Sequence, residues 1–416
     1  MIKIQKGTKD ILPQDVYKWH YVESTARELA KLYNFKEIRT PTFEATELFA
    51  RGMGESSDVV NKEMYTFIDK GERSITLKPE GTAGVVRSYI ENGLSQLPSP
   101  LKLFYITPVF RYEKPQNGRL REHHQFGVEL FGSSSVYSDF EVLMFAHKFL
   151  RTVGLDSLTL NVNSIGCENC RPKYNEKLKK FLASKEDCLC EQCKKRKDTN
   201  PLRIFDCKET KCNSLITEAP KITDYLCDDC KAYFKGICEL LDKNGIQYVV
   251  NNKLVRGLDY YTKFVFEFTS NDIGAQGTVC GGGRYNNLIA ELGGQSTPGI
   301  GFGLGIERLL LVLENTNKLK AVDDKPDVYI ATYSAECRSY AMKLALDLRE
   351  VGVSVEYDIM ERSLKAQLKH ADKVQSKYLI IIGEDEIKNK GYKVKNMGNG
   401  NVENVKDLVS FLGGIK

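Results

Sequence analysis

Residues 101–132, LKLFYITPVFRYEKPQNGRLREHHQFGVELFG, constrain the fold more than any other stretch. Two runs rich in aromatic and branched side chains flank Pro115, Asn117 and Gly118, residues that supply turn chemistry. This pattern predicts a long hairpin. Side chains on a strand alternate faces, so residues two apart share one. In the second run Phe126, Val128 and Leu130 share one face, while Arg121, His123, Gln125, Gly127 and Glu129 share the other. The apolar set calls for a layer of helices. The polar set is polar along its whole length. An antiparallel sheet with one solvated face gives the same alternation without any site, so chemistry on that face needs partners from elsewhere in the chain.

The flanking sequence predicts an α+β domain: antiparallel strands with helices on one side. A helix is expected over 14–34, followed by FKEIRTPTFEATELF, where Pro41 interrupts an edge strand. Two short strands surround a Lys-Gly-Glu turn in EMYTFIDKGERSITL, and a helix begins near Thr82. Residues 138–153 read as a helix with Ser138 as N-cap, Glu141 three residues on, and Gly154 ending it. Residues 166–245, rich in Cys and Lys, read as an insertion into this domain. Strands are expected at 246–268 and 275–280, then a glycine cluster at 281–283 and an apolar helix after GIGFGLG. The polar stretch NTNKLKAVDDKPD reads as a linker. Beyond it, strands and helices alternate, which predicts a small parallel or mixed α/β domain. The expected limits are 1–322 and 326–416.

A length of 416 residues exceeds a single core. Hydrophobic and charged contents of 42% and 28% are those of a soluble globular chain. The net charge of +5 permits a polyanionic partner without arguing for one. The N-terminus lacks the pattern of a secretory signal, and no run of about 18 apolar residues suits a membrane span. A cytoplasmic location is expected, with the twelve cysteines reduced, buried or metal-bound rather than disulfide-linked.

Several familiar chemistries are absent. The chain has no phosphate-binding G-x-x-x-x-G-K-[ST] loop, GIGFGLG lacks the dinucleotide spacing, and no G-x-S-x-G elbow occurs. The five histidines suggest no nucleophilic triad, and His147 reads as a packing residue. What remains is arginine and carboxylate chemistry. Arg111 and Glu113 fall on the first hairpin strand near the turn. Glu80 and Thr82 begin a helix, where N–H groups and the dipole are available. Arg308 lies in the first turn of the apolar helix, and Arg256 stands at a strand entrance in LVRGLDYYT. Arg111, Arg256 and Arg308 have one joint explanation. Nucleotidyl transfer asks the protein for positioning and charge compensation, which arginine supplies through its permanent charge and forked donors.

These stretches resemble the histidyl-tRNA synthetases, a family of class II aminoacyl-tRNA synthetases. FKEIRTPTFEATELF is similar to class II motif 1, FRYEKPQNGRLREHHQFGVELFG to motif 2, and GIGFGLGIERLLL to motif 3. LVRGLDYYT and GTVCGGGRYNNLI resemble the two histidine-specific blocks, and PEGTAGVVR the substrate loop. The resemblance implies a class II catalytic domain followed by an anticodon-binding domain, a homodimer, and the substrates L-histidine, ATP and tRNA(His), with Mg²⁺. It places Glu80, Gly81, Thr82 and Gln125 around the α-amino group of histidine, and Glu129, Tyr260 and Tyr261 around the imidazole. Arg111 and Arg256 take the catalytic places at the α-phosphate and carboxylate, while Glu113, Arg121 and Arg308 contact ATP. A carboxylate accepts and a phenol also donates, so Glu129 and Tyr261 together satisfy both imidazole nitrogens. The family's usual Gly-Arg-Tyr-Asp is Gly283-Arg284-Tyr285-Asn286 here. A regulatory, catalytically inactive relative of the synthetases would lack the intact RGLDYYT block and the C-terminal domain, and this chain has both.

Within the insertion, Cys167-x-x-Cys170, Cys190-x-x-Cys193 and Cys227-x-x-Cys230, with Cys207 and Cys212, provide eight thiols for one or two four-cysteine zinc sites. Reduced, partly buried thiols are the other reading. Strict strand alternation sends Tyr260 and Tyr261 to opposite faces. A turn or bulge around Gly257–Asp259 is therefore expected, with Asp259 as a local hydrogen-bond acceptor fixing it.

Overall fold

A computed structural model describes residues 1–54, 57, 59–270, 277–319 and 324–414. The chain divides into two compact units, residues 1–320 and 321–416. Part of the expected linker, residues 320–323, and the first residues of the strand expected at 275–280 lie outside the described residues.

The strands of the first unit are, in chain order, β1 (Lys36–Glu37), β2 (Phe43–Ala45), β3 (Tyr65–Ile68), β4 (Ser74–Leu77), β5 (Leu101–Phe110), β6 (Glu122–Phe131), β7 (Thr159–Gly166), β8 (Val249–Val250), β9 (Thr262–Thr269), β10 (Thr278–Arg284) and β11 (Gly299–Gly305). Eight of them form one sheet in the order β1-β5-β6-β11-β10-β9-β7-β8. The terminal pairs β1–β5 and β7–β8 are parallel and every inner pair is antiparallel. β2, β4 and β3 make a small antiparallel sheet beside it.

The alternation read in β6 governs both faces of the large sheet. Phe126, Val128 and Leu130 are buried in one core with Phe104, Phe266, Phe302 and Leu304. Helices Val136–Thr152 and Ile306–Asn315 cover that face with Phe145, Phe149, Leu309 and Leu313. On the opposite face the register sets Tyr105 beside Gly127, Glu129 beside Gly301, Gly127 beside Gly303, and Gly281 beside Gly303. Adjacent strands therefore place glycine next to glycine, and the middle of that face becomes a floor on which larger side chains lie.

Several expectations are corrected. The helix at 136–152 is capped by Ser135, whose hydroxyl accepts from the Tyr137 N–H at 3.3 Å. Ser138 is buried inside the helix and receives Arg284 instead. The β5 ladder ends at Phe110, so Arg111 and Glu113 lie in the connection. The Arg111 N–H still reaches the Arg121 carbonyl at 2.8 Å, but the Tyr112 N–H turns to the Glu63 carbonyl at 2.7 Å. Residues 246–268 are not one strand, because 251–261 form a loop between β8 and β9. Glycines 281–283 lie within β10. The insertion is helical, with helices Arg171–Ala183, Glu191–Thr199, Thr210–Ile216 and Asp228–Lys243.

The second unit holds β12 (Val328–Thr332), β13 (Val355–Tyr357), β14 (Tyr378–Ile382), β15 (Tyr392–Asn396) and β16 (Val402–Val405) in the order β13-β12-β14-β15-β16. The first three are parallel and the last two antiparallel, so the sheet is mixed. The β15–β16 hairpin adds to the alternation seen in the sequence. Among the described residues, no helix is long and apolar enough to cross a membrane.

Candidate active site

The polar face of the large sheet carries two connected regions. The first is a buried cluster around Glu129. Its carboxylate accepts from Tyr105 Oη at 3.2 Å and from Tyr285 Oη. Glu129, Tyr105 and Tyr285 are each at most 2% exposed. Burial in this near-dry setting pushes the Glu129 carboxyl up to about 8, against the pull of its phenol and hydroxyl donors. The Tyr260 and Tyr261 rings lie 4.6 Å apart, and Tyr260 meets the Tyr285 ring at 5.5 Å. A methyl at Gly301 would fall 2.8 Å from Cδ of Glu129, so only glycine leaves room for this carboxylate.

Glu80, Gly81 and Thr82 close one side of this cluster. The buried Glu80 carboxylate accepts from the backbone N–H of Thr82 at 2.8 Å and of Ala83 at 2.6 Å, at the start of helix Thr82–Glu91. Burial raises its pKa, while these N–H donors favour the ionised form. Gln125 Oε1 accepts from the Gly81 N–H at 2.8 Å and ties the helix entrance to β6.

The second region is a cleft of about 190 Å³ lined by Arg111, Glu113, Arg119, Arg256 and Arg308, with His123 and Gln125 on its floor. Each arginine is held by a different element. Arg111 Nε donates to the Pro79 carbonyl at 2.8 Å. Arg308, in the first turn of helix Ile306–Asn315, donates to the Thr278 carbonyl at 3.0 Å. Arg119 pairs with Glu113, with Nη2 to Oε1 at 2.7 Å. Arg256 pairs with Glu267 of β9 and stands 5.7 Å from the centre of the Tyr261 ring. Its Nε is buried and makes no hydrogen bond among the described residues. Burial, then the positive charges of Arg111 and Arg308, lower the His123 pKa to about 3, so its ring is neutral at physiological pH. Four guanidiniums over a glycine floor form a site for a polyanion that approaches the backbone closely. Gln125 and Arg256 each belong to the cleft and touch the buried cluster, so the two regions form one site.

The sequence-predicted residues Glu80, Gly81, Thr82, Gln125, Glu129, Tyr260, Tyr261, Arg111, Glu113, Arg256 and Arg308 thus come together. Arg121 is turned onto the Tyr112 ring at 3.8 Å, and its Nε donates to the Glu113 carbonyl at 3.2 Å. It positions the connection that carries Glu113. Sequence reasoning missed Tyr105, Tyr285 and Arg119 as side chains of this site. The parity of Tyr105 with Leu103 and Thr107, and its place opposite Gly127, carried the signal for the first.

The loop before β9 also differs from expectation. Residues 257–260 do bend, as expected, but alternation is broken further on as well, at Lys263. That residue has φ +53°, and the ladders to both neighbours shift there. Asp259 is an acceptor, and it serves partners outside its own turn. Its Oδ1 accepts from Asn200 Nδ2 at 3.0 Å and from Arg203 Nε and Nη2 at 3.0 and 2.8 Å, all from the insertion. Asn286 Oδ1 accepts from Arg284 Nη1 at 3.2 Å. Arg284 is fully buried and paired with Asp139, so Asn286 keeps an oxygen acceptor beside a neutralised arginine.

Eight of the insertion's ten cysteines form two quartets, Cys167, Cys170, Cys227 and Cys230, and Cys190, Cys193, Cys207 and Cys212. In each the sulfurs lie within 4.8 Å of one another, and all are free thiols. Cys280 and Cys337 are buried in apolar cores, as their small apolar character suggests.

Comparison with known proteins bears on the fold and the family. The family model for histidyl-tRNA synthetase matches residues 7–309, and that for the anticodon binding domain matches residues 327–412. The histidine–tRNA ligase of Caldanaerobacter subterraneus subsp. tengcongensis is 55% identical over 400 residues, 96% of each chain. The crystal structure of apo S. aureus histidyl-tRNA synthetase is 42% identical, with a TM-score of 0.84, over 99% of this chain and 100% of that one. A structure described as an ATP phosphoribosyltransferase regulatory subunit/histidyl-tRNA synthetase from Bacillus halodurans C is 22% identical with a TM-score of 0.65, over 92% of this chain and 98% of that one, a likeness of fold alone. The chain belongs to the histidyl-tRNA synthetase family.

Proposed function

We propose that this protein ligates L-histidine to tRNA(His) with ATP, through a histidyl-adenylate. The observation that carries this is the junction of the buried carboxylate–phenol cluster with the arginine cleft through Gln125 and Arg256. An amino acid seated in the first region presents its carboxylate at the second.

Glu129 accepts from one imidazole nitrogen and a phenol, Tyr261 with Tyr260 beside it, completes the pair. An analogue lacking a ring nitrogen leaves a buried polar group without a partner, a mismatch worth about four orders of magnitude in selectivity. Glu80, Gly81, Thr82 and Gln125 hold the α-amino group. Arg111 bridges the histidine carboxylate and the α-phosphate, and Arg256 flanks that phosphate with its unbonded Nε. Glu113 and Arg308 hold ATP, and Arg121 acts through the Glu113 connection.

A carboxylate oxygen of histidine attacks the α-phosphorus, and the bond to the bridging oxygen of the β-phosphate breaks, releasing diphosphate. The terminal hydroxyl of tRNA then attacks the activated carbonyl, loses its proton, and AMP leaves. Fixed positive charge and proximity do most of the work. Glu113 would offer the oxygen donors that Mg²⁺ prefers, and the ion would supply charge compensation for the leaving diphosphate.

The tRNA partner follows from the second unit, which matches an anticodon binding domain over residues 327–412. The location is cytoplasmic. The assembly is a homodimer, so light scattering at micromolar concentration gives twice the chain mass, and a monomer contradicts it. Each cysteine quartet holds one structural Zn²⁺. The Sγ separations of 3.6, 3.8 and 3.9 Å match the value of about 3.8 Å for a tetrahedron with Zn–S near 2.3 Å.

A regulatory subunit of histidine biosynthesis is the rival reading. The intact Arg256–Tyr261 block and the second unit argue against it. A charging assay with total tRNA separates them: histidine, and no other amino acid, is esterified in the presence of ATP. Failure to charge any tRNA overturns the proposed activity.

A further inference from the structure

We propose that the two cysteine quartets, loaded with zinc, clamp the histidine-binding loop through one arginine each, so that zinc occupancy sets the affinity for histidine. This rests on the reading that the quartets hold zinc.

The loop at 254–261 carries Arg256, Tyr260 and Tyr261 between β8 and β9, and it has little regular structure of its own. It is gripped from the insertion at two points. At the first, Arg171 donates from Nη2 to the Tyr261 carbonyl and from Nε to the Ile165 carbonyl at 3.3 Å. Arg171 directly follows Cys170, whose Sγ accepts the Cys227 N–H at 3.1 Å. At the second, Arg203 and Asn200 converge on Asp259. They lie between Cys193 and Cys207, at the start and within the short 3-10 turn Pro201–Asp206. Arg196 of the helix that carries Cys193 donates to the Arg203 carbonyl at 3.3 Å. In the same quartet the Cys190 N–H donates to Cys212 Sγ at 3.3 Å.

A stretch so short in regular structure stays in place only if something fixes its ends. A tetrahedral zinc does so, since it joins four points of chain and supplies folding free energy directly. Arg171 and Arg203 then act as positioning residues. Arg203 is 7% exposed and spends two donors on one carboxylate oxygen, an arrangement that lysine cannot reproduce. Of the four cleft arginines only Arg256 rides on this loop, and it has its own anchor on Glu267 of β9, while Arg111, Arg119 and Arg308 are anchored elsewhere. The clamp therefore acts on histidine more than on ATP.

The test measures zinc per chain by mass spectrometry of the full-length protein and follows histidine-dependent exchange of diphosphate into ATP. The variants are Cys212→Ser, Arg203→Met and, as a control outside both quartets, Cys188→Ser. We expect two zinc ions in the wild type and in Arg203→Met, and one in Cys212→Ser. Both of those variants raise the KM for histidine about tenfold, with the KM for ATP within about twofold, and Cys188→Ser changes neither. Should Cys212→Ser fail to fold, Arg203→Met alone decides the coupling. Two zinc ions with an unchanged histidine KM in Arg203→Met overturn the clamp and leave the zinc reading standing. A zinc-free wild type overturns the zinc reading and, with it, any metal dependence of the clamp.

Discussion

Tyr285, directly after β10, donates its hydroxyl to Oε2 of Glu129 on β6, two strands away in the sheet. With Tyr105 on the other oxygen, this leaves a fully buried carboxylate with a phenol on each side. Tyr285→Phe removes one of these donors. Unfolding free energy is expected to fall by about 1–3 kcal/mol, and the KM for histidine to rise while that for ATP holds. Thermal unfolding and exchange kinetics with histidine titrated would check both. An unchanged histidine KM would separate Tyr285 from the binding pocket.

Glu129 also gives a pH signature. Burial raises its pKa from 4.5 to about 8, so the folded state disfavours its ionised form. The stability this group contributes is fully present below pH 4.5 and is lost as pH rises through 8. Glu129→Gln cannot titrate. Melting temperatures of variant minus wild type should climb between pH 5 and 8 and level off above. A difference that stays flat over that range would place the Glu129 carboxyl in its ordinary range.

Gly281 is the floor under Arg256. A methyl there would lie 2.7 Å from Cζ of that arginine, so Gly281→Ala must push the guanidinium away. A displacement of about 1 Å at a reacting centre can cost a hundredfold in rate. The variant should keep its far-UV circular dichroism and lose about a hundredfold in kcat for exchange. Wild-type turnover would mean that the guanidinium relaxes without consequence.

The sheet was legible because period-two alternation in β6 survives folding unchanged, with Phe126, Val128 and Leu130 in the core and Gln125 and Glu129 on the other face. The family motifs brought Arg111, Arg256 and Arg308 to the site even though no local pattern links them. What the sequence hid is nonlocal. Tyr105 matters because strand register sets it opposite Gly127, and register is not written in either strand alone. Asp259 was expected to hold its own turn. It also accepts from Asn200 and Arg203, which lie more than fifty positions away, inside an insertion that reads as cysteines and lysines. Ser138 reads as a helix cap because Glu141 follows three residues on, but Ser135, three residues earlier, offers the same hydroxyl. Only the course of the chain decides between them.

The most direct measurement is histidine-dependent exchange of diphosphate into ATP by the wild type and by Arg256→Ala. Arg256 connects the imidazole cluster to the phosphate cleft, and its loss removes fixed charge from the α-phosphate. Exchange is predicted in the wild type with histidine alone among the amino acids. In the variant a loss of about a hundred- to a thousandfold is expected, with the fold retained by circular dichroism. Full exchange activity in Arg256→Ala, or no histidine-dependent exchange in the wild type, would contradict the assignment.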